Sequence, residues 1–182
     1  MARPRVRQRL LEAAAALLAE QGVGVLTTRA VARRAAVTEA SLFNNFGDKA
    51  GLLRALLLET GDEHPALLTA LAAPAEPFEA WLARLFVHAR AWFRRVLPLA
   101  GASLASAPPR HADPQGQASY AAHRALSQRL AELQQPDPET LALLLLGAAM
   151  HTTLSELTQG DRALAVDEQA LARRVARSLA RR

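Results

Sequence analysis

No segment of this chain alternates β-branched and polar residues with a period of two, and alanine and leucine dominate it from end to end. A half-buried strand needs that alternation, whereas Ala and Leu are among the strongest helix formers, so the sequence predicts an all-α fold. Glycine and proline mark where the helices break. A first helix is expected over 4–21, with Val6, Leu10, Ala14, Leu17 and Leu18 at helical spacing and Gly22 as its stop. Thr27 or Thr28 caps a second through residue 35, and Thr38 caps a short third over 39–45. Gly47-Asp48 opens a fourth that Gly61 ends. One short helix is expected within 62–77. A long one follows from Pro77, with Phe78, Leu82, Leu85, Phe86, Ala89 and Phe93 on one face; Pro98 bends or ends it, and a short piece runs on to Ser106. Residues 108–114 read as a loop. Three more helices are expected over 115–134, 138–157 and 167–181, about nine in all.

The 182 residues suffice for one domain or two small ones, and 51% hydrophobic with 21% charged residues is the balance of a globular protein. The absence of cysteine excludes disulfides, Cys-ligated zinc, iron–sulfur clusters and a thiol nucleophile. The longest uninterrupted apolar run, 141–150, is too short for a membrane span, and no apolar segment with a cleavage site follows the N-terminus. A cytoplasmic protein without a membrane partner is expected. Charge is unevenly placed: +4 of the net charge of +5 falls within residues 1–60. Such asymmetry points to an anionic partner for the N-terminal part, nucleic acid or a membrane surface.

The specific motif lies in residues 27–49. Two short helices on either side of Ala36-Val37 have the span of a helix-turn-helix. Val31, Val37 and Leu42 sit where such a unit needs apolar contacts, and Ala32 and Ala35 are small where its helices approach. The second helix presents Glu39, Ser41, Asn44 and Asn45, hydrogen-bonding residues of the kind that read base edges in a major groove. Two short helices and a turn also occur in helical proteins that never meet DNA.

Residues 9–58 resemble the N-terminal domain of the TetR (tetracycline repressor) family of transcriptional regulators. The resemblance is carried by Leu10-Leu11-Glu12-Ala13-Ala14, Ala19-Glu20-Gln21-Gly22, Leu26-Thr27-Thr28-Arg29-Ala30-Val31-Ala32, Ala35-Ala36-Val37-Thr38, Ser41-Leu42-Phe43-Asn44-Asn45-Phe46-Gly47-Asp48-Lys49 and Leu52-Leu53. It implies a three-helix DNA-binding domain over 1–48, joined to a larger helical effector-binding and dimerisation domain over 49–182. It implies phosphate contacts at Thr28, Thr38 and Lys49, and a base or phosphate contact at Arg29. Glu39, Ala40, Ser41, Asn44 and Asn45 take the base-reading face, and Phe43 the position of a phosphate-contacting tyrosine. The chain departs from the family's pattern at three points. The usual turn glycine is Ala36, which costs about 1 kcal/mol if the position needs a positive φ. Phe43 lacks the hydroxyl that bonds a phosphate. Asn44 replaces an aromatic or basic residue and is suited to a bidentate contact with adenine.

For the remaining two thirds, the resemblance implies a homodimer through the last two large helices, with Leu143, Leu146, Met150, Leu154, Leu171, Val175 and Leu179 at the interface. A helix apolar nearly all round, as over 141–150, agrees with burial on more than one side. Candidate effector-pocket residues are the bulky Trp81, Phe86, Trp92, Phe93 and Tyr120, with His88, His123, Arg124 and Thr152 as polar groups. Taken singly, each is also an ordinary core or surface residue. The five histidines form no HxH or HExxH spacing, so neither a metal site nor a cofactor is expected. The chain has no GxSxG, no GxxxxGK[ST] and no glycine-rich turn after a strand, which argues against an enzyme. The expected function is a homodimeric repressor that binds a palindromic double-stranded operator and is released by a small, largely apolar effector. The alternative is a helical scaffold or partner-binding protein whose helix-turn-helix is vestigial.

Overall fold

The structure is a computed structural model that describes residues 3–62, 65–106, 118–159 and 167–180. Among these residues the elements are all helical: α1 (Arg3–Gln21), a 3-10 turn (Val23–Val25), α2 (Thr28–Arg34), α3 (Glu39–Phe46), α4 (Lys49–Asp62), α5 (Pro65–Ala72), α6 (Phe78–Ser106), α7 (Ala118–Glu132), α8 (Pro138–Gln159) and α9 (Glu168–Ala180). The expected 108–114 loop, the start of α7 before residue 118 and the last residues of the final helix lie outside the described residues.

Local chemistry fixes the helix ends. The first turn of a helix leaves N–H groups without intrahelical partners, and short polar side chains accept from them. Thr27, rather than Thr28, caps α2 by accepting from the Ala30 N–H at 3.1 Å. Thr38 does the same for α3 through Ser41, and Asp48 caps α4 by accepting from the Gly51 N–H at 2.6 Å. Asp137 and Asp167 cap α8 and α9. α1 ends where Gly22 turns to φ 77°, a conformation that glycine adopts without a Cβ clash.

Proline 98 neither ends nor breaks its helix: α6 runs through it to Ser106. A proline there removes one backbone hydrogen bond. The flanking Val96 and Leu99 are both buried, and burying side chains of that size contributes about 1.5–3 kcal/mol each, enough to hold the helix through the defect.

The chain forms two compact units. The first comprises the described residues within Met1–Thr60 and Pro98–His111, the second those within Gly61–Leu97 and Ala112–Arg182. In the first, α1, α2 and α3 pack on one another around Leu10, Leu11, Leu17, Leu26, Val31 and Leu42. Leu52, Leu53 and Leu56 of α4 and Leu99 of α6 complete the same core.

In the second, α6 buries the face that carries Trp81, Leu82, Leu85, Phe86 and Ala89. The Trp81 indole N–H donates to the Ala70 carbonyl of α5 at 3.0 Å. α7 lies along α8, and α8 packs against α9, where Ala149, Ala172 and Ala176 are fully buried and small enough for close approach. Arg90 and Arg94 of α6 bond Glu156 of α8 and Glu168 of α9 with N–O distances of 2.5 to 3.0 Å. The Arg94 hydrogen bond, followed by the charges of Arg94 and Arg90, holds the Glu156 carboxyl below its ordinary range despite partial desolvation. By length and composition alone, α8 is apolar enough to cross a membrane. In this fold it buries Leu141, Ala142, Leu145, Leu146, Ala149 and Thr153 against its own chain.

Candidate nucleic-acid interface

The turn between α2 and α3 is a helix C-terminal motif closed by two backbone bonds. The Val37 N–H donates to the Ala32 carbonyl at 3.0 Å and the Ala36 N–H to the Arg33 carbonyl at 3.2 Å. This six-to-one, five-to-two pattern requires a left-handed residue at the position after the cap. Ala36 supplies it with φ 51°, so the position does need the positive φ for which glycine is the unstrained choice. Arg9 of α1 donates to the carbonyls of Ala35 and Ala36, the latter at 3.3 Å, and braces the turn from outside. Sequence reasoning missed Arg9, because a contact across 27 positions leaves no local pattern. It also missed Arg7, which pairs with Glu59 at 3.2 Å and lies over the Phe46 ring at 5.3 Å.

α3 exposes one face and buries the other. Leu42 is fully buried, whereas Ala40, Phe43 and Asn44 are exposed, with Glu39 half-buried at one flank and Ser41 at the other. Phe43 keeps 46% of its surface in solvent, unusual for a phenyl ring with no structural work to do. Asn45 is half-buried, and its Nδ2 donates to the Ser41 carbonyl at 2.7 Å. Thr38 is both the helix cap and a partner of the Ser41 hydroxyl at 2.9 Å. Thr28, at the first position of α2, donates from Oγ1 to Glu39 Oε1 at 2.5 Å, which ties the starts of the two helices together. Arg29 is exposed on α2, and Lys49 is half-buried at the first position of α4 beside the cap Asp48. All ten DNA-contact candidates therefore fall within the first unit, on α2, its following turn, α3 and the start of α4. Arg34, on the same helix as Arg29, is instead paired with Glu20 at 2.6 and 2.7 Å, and that hydrogen bonding holds the Glu20 carboxyl below its ordinary range.

The candidates in the second unit separate by environment. Trp81, Phe86, Trp92 and Phe93 are buried on α6, with the last two rings 4.7 Å apart. His88 is half-buried on the same helix. His123 Nε2 donates to the Glu139 carbonyl at 3.2 Å, and Thr152 Oγ1 donates to the Ala148 carbonyl at 2.8 Å. Arg124 is exposed, and the Tyr120 side chain lies outside the described residues.

Of the interface candidates, Leu146 and Leu179 lie within the chain's own core and offer a partner little surface. Leu171 and Val175 are half-buried, whereas Leu143, Met150 and Leu154 are exposed by 62%, 43% and 46%. Leu144 and Leu157, which sequence reasoning did not single out, are exposed beside them.

Among the described residues, a helix-turn-helix in the first unit and helices in the second define the class of all-helical proteins that carry a helix-turn-helix. Residues 10–56 match the family model described as bacterial regulatory proteins, tetR family. The HTH-type transcriptional regulator YvkB of Bacillus subtilis (strain 168), named as uncharacterized, is 39% identical over 61 residues, which are 34% of this chain and 32% of that protein. The match thus spans about a third of that relative's length. Solved structures extend the likeness to the whole fold. A transcriptional regulator from Rhodococcus sp. Rha1 is 20% identical, with a TM-score of 0.71 and 96% of each chain covered. FadR from Bacillus subtilis, in complex with stearoyl-CoA, is 18% identical, with a TM-score of 0.64, 94% of this chain and 96% of that one covered. The likeness to bacterial regulatory proteins of the tetR family thus rests on residues 10–56 in sequence and on most of the chain in fold.

Proposed function

We propose that the protein is a non-catalytic, DNA-binding transcriptional regulator of the cytoplasm that acts as a homodimer, with DNA contacts confined to 1–49 and dimerisation and effector binding within 49–182. The observation that carries this reading is the exposed, hydrogen-bonding face of α3 on a braced helix-turn-helix. Each α3 enters a major groove, and two-fold symmetry of the dimer makes the operator a palindrome. Arg29 and Lys49 supply phosphate charge, Thr38 supplies a hydroxyl at the helix start, and α3 turns the face that carries Glu39, Ala40, Ser41, Asn44 and Asn45 toward the bases, with Phe43 beside them.

The dimer forms through α8 and α9. Leu143, Met150, Leu154 and Leu157 recur at spacings of seven, four and three, one stripe along α8 that the chain itself leaves uncovered. An exposed apolar stripe of that length is costly in water and is removed by a second copy of the same helix. The effector is small and largely apolar and is held by the aromatic face of α6 with His88 beside it; a fold relative solved with stearoyl-CoA supports a ligand of that kind. Effector binding shifts the population toward dimers whose reading heads are wrongly spaced, and DNA is released.

The test is selection of duplexes from a random pool by the full chain, followed by titration at several salt concentrations. Enrichment of a palindrome is expected. Lys49→Ala should weaken binding to every sequence and lower the salt slope by about 0.9 per protomer. If Lys49→Ala changed base preference and left the slope intact, its role would be misassigned. If no sequence were enriched, the regulator reading would fail in favour of a helical partner-binding protein.

A further inference from the structure

We infer that Glu39 determines base specificity in each half-site by demanding an exocyclic amino donor, cytosine in the first place, and that Thr28 is the residue that positions it. The inference rests on the DNA-binding function proposed above and deepens it.

An ionised carboxylate only accepts hydrogen bonds. At the major-groove edge, guanine presents two acceptors and thymine one, so a carboxylate placed there is rejected by both. Cytosine presents an amino donor with no acceptor beside it. Adenine presents a donor next to N7, which faces the second carboxylate oxygen unfavourably. The chemistry of Glu39 therefore favours cytosine over adenine and both over guanine.

The geometry makes this residue a reader rather than a floating surface charge. Thr28 Oγ1 donates to Oε1 of Glu39 at 2.5 Å, a link across 11 positions between the starts of α2 and α3. Oε2 takes no part in that bond. The same bond uses the only hydroxyl proton of Thr28, so while it holds, that side chain has only lone pairs to turn toward a phosphate. Thr28 then acts through Glu39 instead of on the DNA backbone. The other polar candidates narrow the choice further. The Asn45 amide donates to the carbonyl of Ser41, and the hydroxyl of Ser41 is engaged with Thr38. Asn44 is exposed and makes no such bond. The reading set is thereby reduced to Glu39 and Asn44, at opposite ends of the face that carries Ala40 and Phe43.

An acid on a DNA face also repels phosphates. It lowers affinity for all sequences and raises the penalty for the wrong base. Stabilisation of the start of α3 by a negative charge is the structural role that Glu39 would otherwise have. Base preference separates the two roles, because a purely structural residue leaves it unchanged.

The experiment is selection from randomised duplexes by the full-length wild type, Glu39→Gln, Thr28→Val and Thr28→Ser, with circular dichroism melts to establish that each is folded. The wild type should prefer cytosine over guanine by about tenfold or more at one position of each half-site. Glu39→Gln should move that single position toward adenine, the bidentate partner of an amide, and raise binding to unrelated DNA. Thr28→Val should relax the preference at the same position, and Thr28→Ser should retain it. Identical preferences in the wild type and Glu39→Gln would overturn the role of Glu39. A Thr28→Val protein with the wild-type preference would overturn the positioning role. Enrichment of no sequence by any of the four would refute the DNA-binding premise itself, and this inference with it.

Discussion

Replacing Ala36 by glycine should make the protein more stable, although it removes a methyl group and loosens a turn. Ala36 sits at φ 51° with its side chain exposed. An L-residue in the left-handed region costs about 1–2 kcal/mol, from the approach of Cβ to the following carbonyl oxygen. Glycine avoids that clash but loses about 0.5–1 kcal/mol more backbone freedom on folding than alanine does. No buried contact is lost with an exposed methyl, so the balance is a gain of about 0.5–1 kcal/mol. For a chain of this size that corresponds to about 1–4 °C in the melting temperature. Urea and thermal denaturation of the variant beside Ala35→Gly provide the measurement. Ala35, one residue earlier, has an ordinary helical φ of −73° and is buried, so the same substitution there should lower stability by about 1–2 kcal/mol. Ala36→Val, with a branched side chain in the same conformation, should also lower it. A second left-handed residue, Gln134, closes α7 with φ 56° and the Gln135 N–H on the Leu130 carbonyl, and glycine there should give a gain that adds to the first. If Ala36→Gly and Ala35→Gly destabilised equally, the left-handed turn and the strain assigned to it would be wrong.

Two further outcomes follow from the second unit. Glu156 has a carboxyl held below its ordinary range, so it contributes stability that is fully present above the ordinary carboxylate pKa and disappears as pH falls through the lowered folded value. Glu156→Gln should flatten the acid limb of a stability–pH profile below about 4.5, the unperturbed value, and an unchanged limb would refute the linkage. Leu154→Arg, in the middle of the exposed stripe of α8, should give a folded protein that runs as a monomer in light scattering and has lost cooperative operator binding. A variant that remained dimeric would place the interface elsewhere.

The helices were legible because each carries its own signals: a threonine or aspartate that accepts from the first turn, a glycine that can turn left-handed, and leucines three and four apart. Gly22, Thr38 and Asp48 act in the fold as their residue types suggest. Of the two outcomes expected at Pro98, an end of the helix does not occur, because the burial of Val96 and Leu99 on either side outweighs the local penalty. For the site, the identities along α2 and α3 place the proposed DNA contacts on one helix-turn-helix, and position 36 takes the positive φ for which glycine is the usual residue. The division of labour among them was not legible. That Asn45 bonds its own helix and that Thr28 is engaged with Glu39 are matters of rotamer and of the distance between helices, which no spacing rule encodes. The apolar run of α8 suggests burial on more than one side, whereas within the chain one side is buried and the other exposed, because inward and outward leucines separate only once α7 and α9 are in place.

The charge asymmetry gains meaning from the same geometry. In the first unit Glu59 is neutralised by Arg7 and Glu20 by Arg34, and Asp48 is held at the helix cap. Arg9 is committed to the turn carbonyls. Among the described side chains of that unit, Arg5, Arg29, Arg33, Lys49 and Arg54 carry no such partner. Two of the five acidic residues within 1–60 are thus paired in place, and since each pair also occupies one arginine the net charge of +4 is unchanged but rests on fewer, unpaired cations. Those five described cations carry the electrostatics of the proposed DNA binding. At about 0.9 counterions released per phosphate, they allow a salt slope of about 4–5 per protomer and about nine for the proposed dimer. Lys49→Ala and Arg29→Ala should each lower the slope, whereas Arg34→Ala should lower stability and leave the slope almost unchanged. The salt dependence then separates the cations that hold the helix-turn-helix together from those proposed to hold DNA.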